Sequence, residues 1–349
     1  MSATSHRHAF IPPYLLSQIV DHGSVRQRSC ASSTLVHVRS LLANPLPAQA
    51  TGRTGETRAA ASMMPDRSIF DARQRMELPG ELARAEGRPP SDDPAVDEAY
   101  DHLGMTHAFF AQTLGRDSID GDGMALLGTV HYGQDYQNAF WNGRQMVFGD
   151  GDGELFNRFT IALDVVAHEL SHGVIEHEAA LVYANQSGAL NESIADVFGI
   201  LAKQFHLGQS VTESDWIIGA GLFTTRIEGR GLRSMAEPGS AYDDPLIGRD
   251  PQPGHMREFV VTREDNGGVH INSGIPNRAF QLAAVAIGGL AWETVGPVWY
   301  DTLCDRRLAN DADFDAFARL TIEHAEGRFG AGSFEARAVD DAWRGVGVF

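Results

Sequence analysis

Lysine is almost missing from this chain: Lys203 is the only one among 349 residues, and 28 basic side chains face 46 acidic ones, for a net charge of -18. A surface of that sign repels a phosphate backbone, so a nucleic-acid partner is excluded. Cysteine is also scarce, with Cys30 and Cys304 alone. Two thiols cannot form a disulfide framework, so stability has to come from a buried core, which a chain of this length can supply. No apolar run is long enough to span a bilayer, and Pro12 and Pro13 interrupt the first apolar stretch. Neither a membrane segment nor a secretory signal is therefore expected, which implies a cytoplasmic protein or export by a non-classical route. There is no internal repeat, no G-x-S-x-G nucleophile elbow and no G-x-x-x-x-G-K-[ST] phosphate loop.

What is present is a pattern of histidines and carboxylates. His168-Glu169-Leu170-Ser171-His172 is followed by Asn191-Glu192-Ser193-Ile194-Ala195-Asp196. On a helix, residues four apart lie about 6 Å apart along the axis and on the same side, so both imidazoles can reach one metal ion. Glu169 points about 100° away from His168 and can take a proton from a water molecule at the metal. A catalytic zinc requires three protein ligands and one open position. Glu192 is the candidate third ligand, because a helical segment from Glu192 to Lys203 begins with it. Asp196, one turn later, can accept the remaining N–H of a ligand histidine and fix its tautomer. Taken alone, the pentapeptide fits an amphipathic surface helix equally well. The longer H-E-x-x-H-x-x-G-x-x-H pattern needs Gly at 175 and His at 178; the chain has Ile175 and Glu178, which leaves His177 as a solvated helix residue.

Further motifs accompany this pair in a fixed order. They are Asn138-Ala139-Phe140-Trp141-Asn142-Gly143, Gly149-Asp150-Gly151-Asp152-Gly153, Ser187-Gly188-Ala189-Leu190-Asn191-Glu192, and the block from Asp265 to Gly274, D-N-G-G-V-H-I-N-S-G. From about Pro94 to the C-terminus the chain resembles the thermolysin-type neutral metallopeptidases. The resemblance implies that His168, His172 and Glu192 hold zinc, a ligand set for which thermolysin is a standard example. It implies Glu169 as general base, His270 and Tyr183 as donors to the oxyanion, and Asp265 as the group that orients His270. Asp196 would orient His168, and the carbonyl of Asn191 would engage His172. Asn138 and Ala139, with Trp141 beside them, resemble the edge that binds substrate backbone, and Arg233 resembles the arginine that binds the carbonyl after the scissile bond. Phe156, Phe159, Val165, Ile218 and Leu232 fall where the family builds its specificity pocket. All are apolar, so cleavage on the amino side of Leu, Phe, Ile or Val is expected.

The match departs from the family at calcium. The positions that correspond to a double calcium site read Asp164, Lys203, Asp215, Ile217 and Ala220. Three of five carboxylates are missing, and an ammonium at Lys203 could neutralise the rest, so the double site reads as lost and a calcium requirement as doubtful.

Residues 1–52 carry Arg7, Arg26, Arg28 and Arg39 against Asp21, a net +3, which leaves -21 for residues 53–349. This segment contains Phe10-Ile11-Pro12-Pro13-Tyr14, an amphipathic stretch through Val20, another from Thr34 to Leu42, and a polar linker from Asn44 to Ala61. It resembles the short precursor segment of the protealysin subgroup. The resemblance implies a self-processing zymogen whose Pro-Pro-Tyr anchor blocks the cleft, with the cut falling between about Pro45 and Ala60. The expected fold is α+β and two-lobed: a precursor segment over 1–55, a β-rich N-terminal lobe over 56–178 and a mainly helical C-terminal lobe over 179–349, with the zinc helix between the lobes. Helices are expected over Asp97–Thr113 and Ile161–Glu178, and strands over Ala125–Phe148. The expected partners are protein or peptide substrates and the chain's own N-terminal segment, with no nucleic acid and no membrane. Two alternatives remain: an exopeptidase of the same zinc class, and a catalytically silent protein that binds a partner through its cleft or its Pro-Pro-Tyr segment.

Overall fold

The computed structural model describes residues 4–5, 8–43, 46–47 and 63–349. The linker read from Asn44 to Ala61 lies outside the described residues apart from 46–47, and so do the expected cut and the boundary at 55.

The N-terminal segment is a helical hairpin. Helix α1 (Pro13–His22) starts where a proline is best tolerated, at the first helical position, and buries Leu15, Leu16 and Ile19 on one face. Helix α2 (Val25–Ala43) starts well before the expected Thr34. Ser24 and Gln27 explain the early start: the Ser24 N–H donates to Gln27 Oε1 (2.8 Å) and the Gln27 N–H to Ser24 Oγ (3.3 Å), a reciprocal N-terminal cap. Strands β1 (Thr4–Ser5) and β2 (Leu46–Pro47) pair antiparallel across the ends of this unit.

The N-terminal lobe is built on a five-stranded sheet. Its strands are β3 (Arg67–Asp71), β4 (Glu81–Ala85), β5 (Leu126–Val130), β6 (Ala139–Trp141) and β7 (Met146–Phe148), in the order β4-β3-β5-β7-β6. The β3–β5 and β5–β7 pairs are parallel, whereas β4 and β6 flank them antiparallel. Helix α3 (Pro94–Leu114) is capped by Asp93, whose carboxylate accepts from the Ala95 N–H, and ends at left-handed Gly115. Strand β6 is the outer strand, and the cleft opens beside it.

Helices α4 (Leu163–Glu178) and α5 (Asn185–Leu207) form the central pair. Thirteen of the sixteen residues of α4 are buried, so it is a core helix and not an amphipathic surface one. Helix α5 begins at Asn185, so Glu192 lies in its interior and not at its start as read from the sequence. Gly199 lets the two helices approach closely, since a Cβ there would stand 2.6 Å from the Asp164 carbonyl oxygen. The helical C-terminal lobe contains α6 (Asp265–Asn272), α7 (Gly274–Ile287), α8 (Val295–Leu303), α9 (Phe314–Phe329) and α10 (Phe334–Gly345). Phe280, Trp299, Phe317 and Trp343 fill its core, with the two indoles stacked 6.0 Å apart. Two short strands, β8 (Ile217–Ile218) and β9 (Arg233–Ser234), bring Arg233 to the cleft floor. The architecture is the expected α+β arrangement of two lobes that meet at α4.

Candidate active site

His168 and His172, one turn apart on α4, face each other with their Nε2 atoms 3.1 Å apart. Their Nδ1 atoms have defined partners: His168 donates to Asp196 Oδ1 and His172 to the side-chain oxygen of Asn191, both at 2.8 Å. An ionised carboxylate and an amide oxygen only accept, so each neutral imidazole carries its proton on Nδ1 and directs a lone pair from Nε2. Two lone pairs at that distance repel unless a cation lies between them. Glu192, from α5, brings Oε2 to 3.5 Å from His168 Nε2 and Oε1 to 3.5 Å from His172 Nε2, and its Oε2 is buried without a hydrogen-bond partner. This donor set fits zinc. Burial, with His8 and His168 nearby, holds His172 well below the usual imidazole range, so it stays neutral.

Glu169 is fully buried, and its Oε2 accepts the Trp141 backbone N–H at 2.9 Å. Its Oε1 has no partner. Burial first, and then the charge of Glu192, push its carboxyl well above the usual range. Asp196 behaves in the opposite way. It too is fully buried, which favours protonation, but Arg233 and His168 outweigh that and hold it ionised far below the carboxylate range. Arg233 donates Nε and Nη2 to its two oxygens, both at 2.8 Å, and Asn277 adds a bond of 2.8 Å. The third guanidinium nitrogen, Nη1, is buried without a partner.

The D-N-G-G block owes its composition to its backbone. Asp265, Asn266, Gly267 and Gly268 all have positive φ, and a Cβ at Gly267 would stand 2.4 Å from Asn185 Oδ1. This left-handed turn folds Asp265 back onto His270, whose backbone N–H and Nδ1 bond its two oxygens at 2.9 and 2.6 Å. Burial disfavours the imidazolium of His270, but Asp265 and Glu192 override it and raise its pKa to about 9. The Tyr183 hydroxyl lies 3.2 Å from His270 Nε2 and donates to Glu192 Oε1.

The N-terminal segment enters the cleft along β6. Phe10 N–H donates to the Ala139 carbonyl at 3.0 Å, Ile11 N–H donates to Asn138 Oδ1 at 2.8 Å, and Asn138 Nδ2 donates to the Ile11 carbonyl at 3.0 Å. The Phe10 ring sits edge-on to His168 and under the Arg233 guanidinium, with centroid distances of 5.2 and 4.7 Å. Phe156, Phe159, Val165, Ile218 and Leu232 are all buried, and Leu232 and the Phe10 ring both border Gly219. This corrects the expectation of a Pro-Pro-Tyr anchor: residues 8–11 occupy the cleft, and Pro12 and Pro13 open α1. Pairing with a strand edge needs N–H donors, which Phe10 and Ile11 have and the prolines lack. Opposite charge contributes where Arg26 meets Glu154 at 2.9 Å and Asp135 at 3.5 Å.

At the far end of α4, Lys203 Nζ lies 3.1 Å from both Asp215 oxygens, 3.5 Å from Asp164 and 3.2 Å from the Ile217 carbonyl. His177 is partly buried at the C-terminal end of α4, unlike the solvated residue expected. Four contributors were not foreseen from the sequence: His8, Phe10, Asn277 and the Trp141 backbone. The apolar Phe10-Ile11 pair ahead of the prolines could have been read as a strand donor, whereas no sequence signal marked His8 or Asn277.

Residues 63–176 match the thermolysin metallopeptidase catalytic domain, residues 179–348 the thermolysin metallopeptidase alpha-helical domain, and residues 8–50 the protealysin propeptide. An extracellular metalloprotease of Pectobacterium carotovorum subsp. carotovorum is 59% identical over 338 residues, covering 97% of this chain and 95% of that protein. The chain belongs to the thermolysin-type metallopeptidases. The structure of the precursor of protealysin, a metalloproteinase from Serratia proteamaculans, matches at 56% identity with a TM-score of 0.89, covering 98% of this chain and 100% of that one. A thermolysin of Alicyclobacillus acidocaldarius subsp. acidocaldarius is 38% identical over 290 residues, 80% of this chain and 50% of that protein. This thermolysin-type chain is thus a zinc endopeptidase made as a precursor, with its propeptide in the same polypeptide. Among the described residues, no helix is long and apolar enough to cross a membrane.

Proposed function

We propose that the enzyme hydrolyses peptide bonds on the amino side of large apolar residues, with His168, His172 and Glu192 holding zinc and Glu169 acting as general base. One observation carries this reading: the two facing imidazole nitrogens lie beside a Glu169 oxygen, all three donor atoms within 4.8 Å of one another. When bound, zinc supplies a Lewis acid that polarises the substrate carbonyl and lowers the pKa of water. Glu169, its proton affinity raised by burial, removes a proton from the attacking water and delivers it to the leaving amine. The Trp141 N–H keeps the carboxylate turned toward that task. Asp196 and Asn191 fix the tautomers of the two histidines. His270, held by Asp265, and Tyr183 donate to the carbonyl oxygen as charge develops on it. Asn138 and Ala139 pair with substrate backbone as they pair with Ile11 and Phe10, and Arg233 offers its unpartnered Nη1 to the carbonyl that follows.

Phe156, Val165 and Leu232 form the apolar pocket for the residue after the cut, where burying a large side chain contributes roughly 1.5–3 kcal/mol. The chain's own Phe10 beside His168 supports that preference. By occupying the cleft, the N-terminal segment inhibits the enzyme until it is removed by self-processing within residues 45–60. The boundaries at 55 and 178 between precursor segment and lobes belong to the same proposal. At the position of the double calcium site the Lys203 ammonium stands in for the ions, so that site needs no calcium. The test is a peptide library with the residue after the scissile bond varied, digested by the mature enzyme. Internal cuts before Phe, Leu, Ile and Val are expected; cuts indifferent to that residue, or trimming from chain ends only, would contradict the reading.

A further inference from the structure

Between His8 and Phe10 the N-terminal segment passes from one candidate metal ligand to the other. The His8 imidazole stacks on His172, with centroids 3.8 Å apart and planes 8° apart, and meets Tyr183 edge-on at 4.4 Å. The Phe10 ring stands edge-on to His168 at 5.2 Å. His168 and His172 face each other with their Nε2 atoms 3.1 Å apart, so Ala9, which is buried, bridges the two. The register is equally specific. Phe10 and Ile11 hold the places on Ala139 and Asn138 that substrate backbone takes, and the Phe10 ring borders Gly219 together with Leu232 of the apolar pocket. An enzyme that cuts on the amino side of the residue in that pocket has the Ala9–Phe10 bond of its own precursor at the point of cleavage.

We propose that Ala9–Phe10 is a further self-processing site, hydrolysed by the precursor within its own cleft before the linker is cut. This rests on the reading of Glu169 as general base and of the apolar pocket as the place of the residue after the cut. Water adds across the bond: its oxygen joins the Ala9 carbonyl carbon, and the C–N electron pair goes to the Phe10 nitrogen. The proton that Glu169 takes from the water completes the Phe10 amine. Bond and carboxylate belong to one chain, so the step is unimolecular. The products are a peptide that ends in the Ala9 carboxylate and a segment that begins at Phe10. That segment keeps its bonds to Ala139 and Asn138 and still covers the cleft. The departing peptide takes with it the His8 ring and strand β1, the partner of β2 at residues 46–47. The first cut therefore loosens the cover and unties the linker for the second.

The full-length precursor is incubated with zinc in heavy-oxygen water at several protein concentrations, with a peptide containing an internal Phe present, and fragments are followed by mass spectrometry. The expected result is a peptide ending at Ala9, with one heavy oxygen in its carboxylate, that appears before any linker fragment. Its rate constant should not depend on protein concentration. Phe10→Leu should keep this cut, Glu169→Gln should abolish it, and Phe10→Ala should slow it at least ~10-fold, because the pocket loses its apolar occupant. Position is also read without turnover: in the Glu169→Gln precursor with isotopically labelled alanine carbonyls, cobalt(II) should broaden the Ala9 resonance, identified by its absence in Ala9→Gly. Cutting of the linker or of the added peptide while residues 1–9 stay attached would overturn the inference and leave the proposed function standing. A cut after Ala9 whose rate constant rises with protein concentration, or a sharp Ala9 resonance with metal bound, would do the same. A precursor that cuts neither itself nor the added peptide would overturn both.

Discussion

Asp196, in the catalytic body, accepts four hydrogen bonds from three buried side chains, whereas residues 10 and 11 of the N-terminal segment meet the cleft through three bonds and one aromatic ring. The body holds its site from several helices at once, so no single contact sets its geometry. The segment holds the cleft from one short stretch of chain, backed by the half-buried hairpin of α1 and α2. The difference suits a permanent centre and a removable cover. It also means that the two regions should respond differently to equivalent damage.

The largest effect is expected at Asp196. Asp196→Ala leaves the Arg233 guanidinium buried and unpaired, which should cost about 3–5 kcal/mol. Chemical denaturation in a Glu169→Ala background measures it; an unchanged midpoint would show that the body is no more rigidly held than the segment. Phe10→Ala should loosen the cover alone. Loss of a buried aromatic ring costs roughly 3 kcal/mol, so the segment should open on the order of 100-fold more often, read as faster hydrogen exchange over residues 8–43 without a change over α4 and α5. Equal acceleration in both regions would mean that they unfold as one unit.

The pH dependence sharpens the same contrast. His270 is raised to about 9 in the folded body, where Asp265 and Glu192 outweigh the effect of burial. Its contribution to stability is fully present below the unfolded value of about 6.5 and is lost as pH rises through the folded one. Activity of the mature enzyme should fall about tenfold per pH unit above that folded value, and His270→Ala should abolish this limb. A limb that persists in His270→Ala would assign it to another group. The smallest effect is expected at Lys203. Lys203→Met leaves Asp164 buried without its cation and should cost ~1–3 kcal/mol, and added calcium should not change the melting temperature of the parent enzyme. A large calcium-dependent rise in the parent would show that the ammonium does not replace the ion.

The sequence disclosed the body more fully than the segment, for a physical reason. His168, Glu169 and His172 sit at helical spacing, and Glu192 and Asp196 lie one turn apart on α5, so local periodicity makes them legible. The start of α5 was read late because Asn185, Ser187 and Gly188 are poor helix formers, held in place by tertiary contact at Gly188, where a Cβ would meet Val269. The polar start of α2 concealed a helix for which the Ser24–Gln27 cap was the available sign. His8 and Asn277 reach the site through contacts between distant parts of the chain, which no periodicity encodes. The approach of Lys203 to Asp164 and Asp215 was readable from residue types, because an ammonium read beside two carboxylates is expected to pair with them.

The central claim is that Glu169, beside a metal held by His168, His172 and Glu192, performs the hydrolysis that also frees the enzyme from its own N-terminus. Intact mass of the wild-type precursor and Glu169→Ala, incubated side by side with excess zinc, tests it most directly. The account predicts that the wild type loses roughly its first 45–60 residues, its precursor segment, while Glu169→Ala stays whole. Loss of the segment from Glu169→Ala at the wild-type rate, in the purified protein, would contradict it.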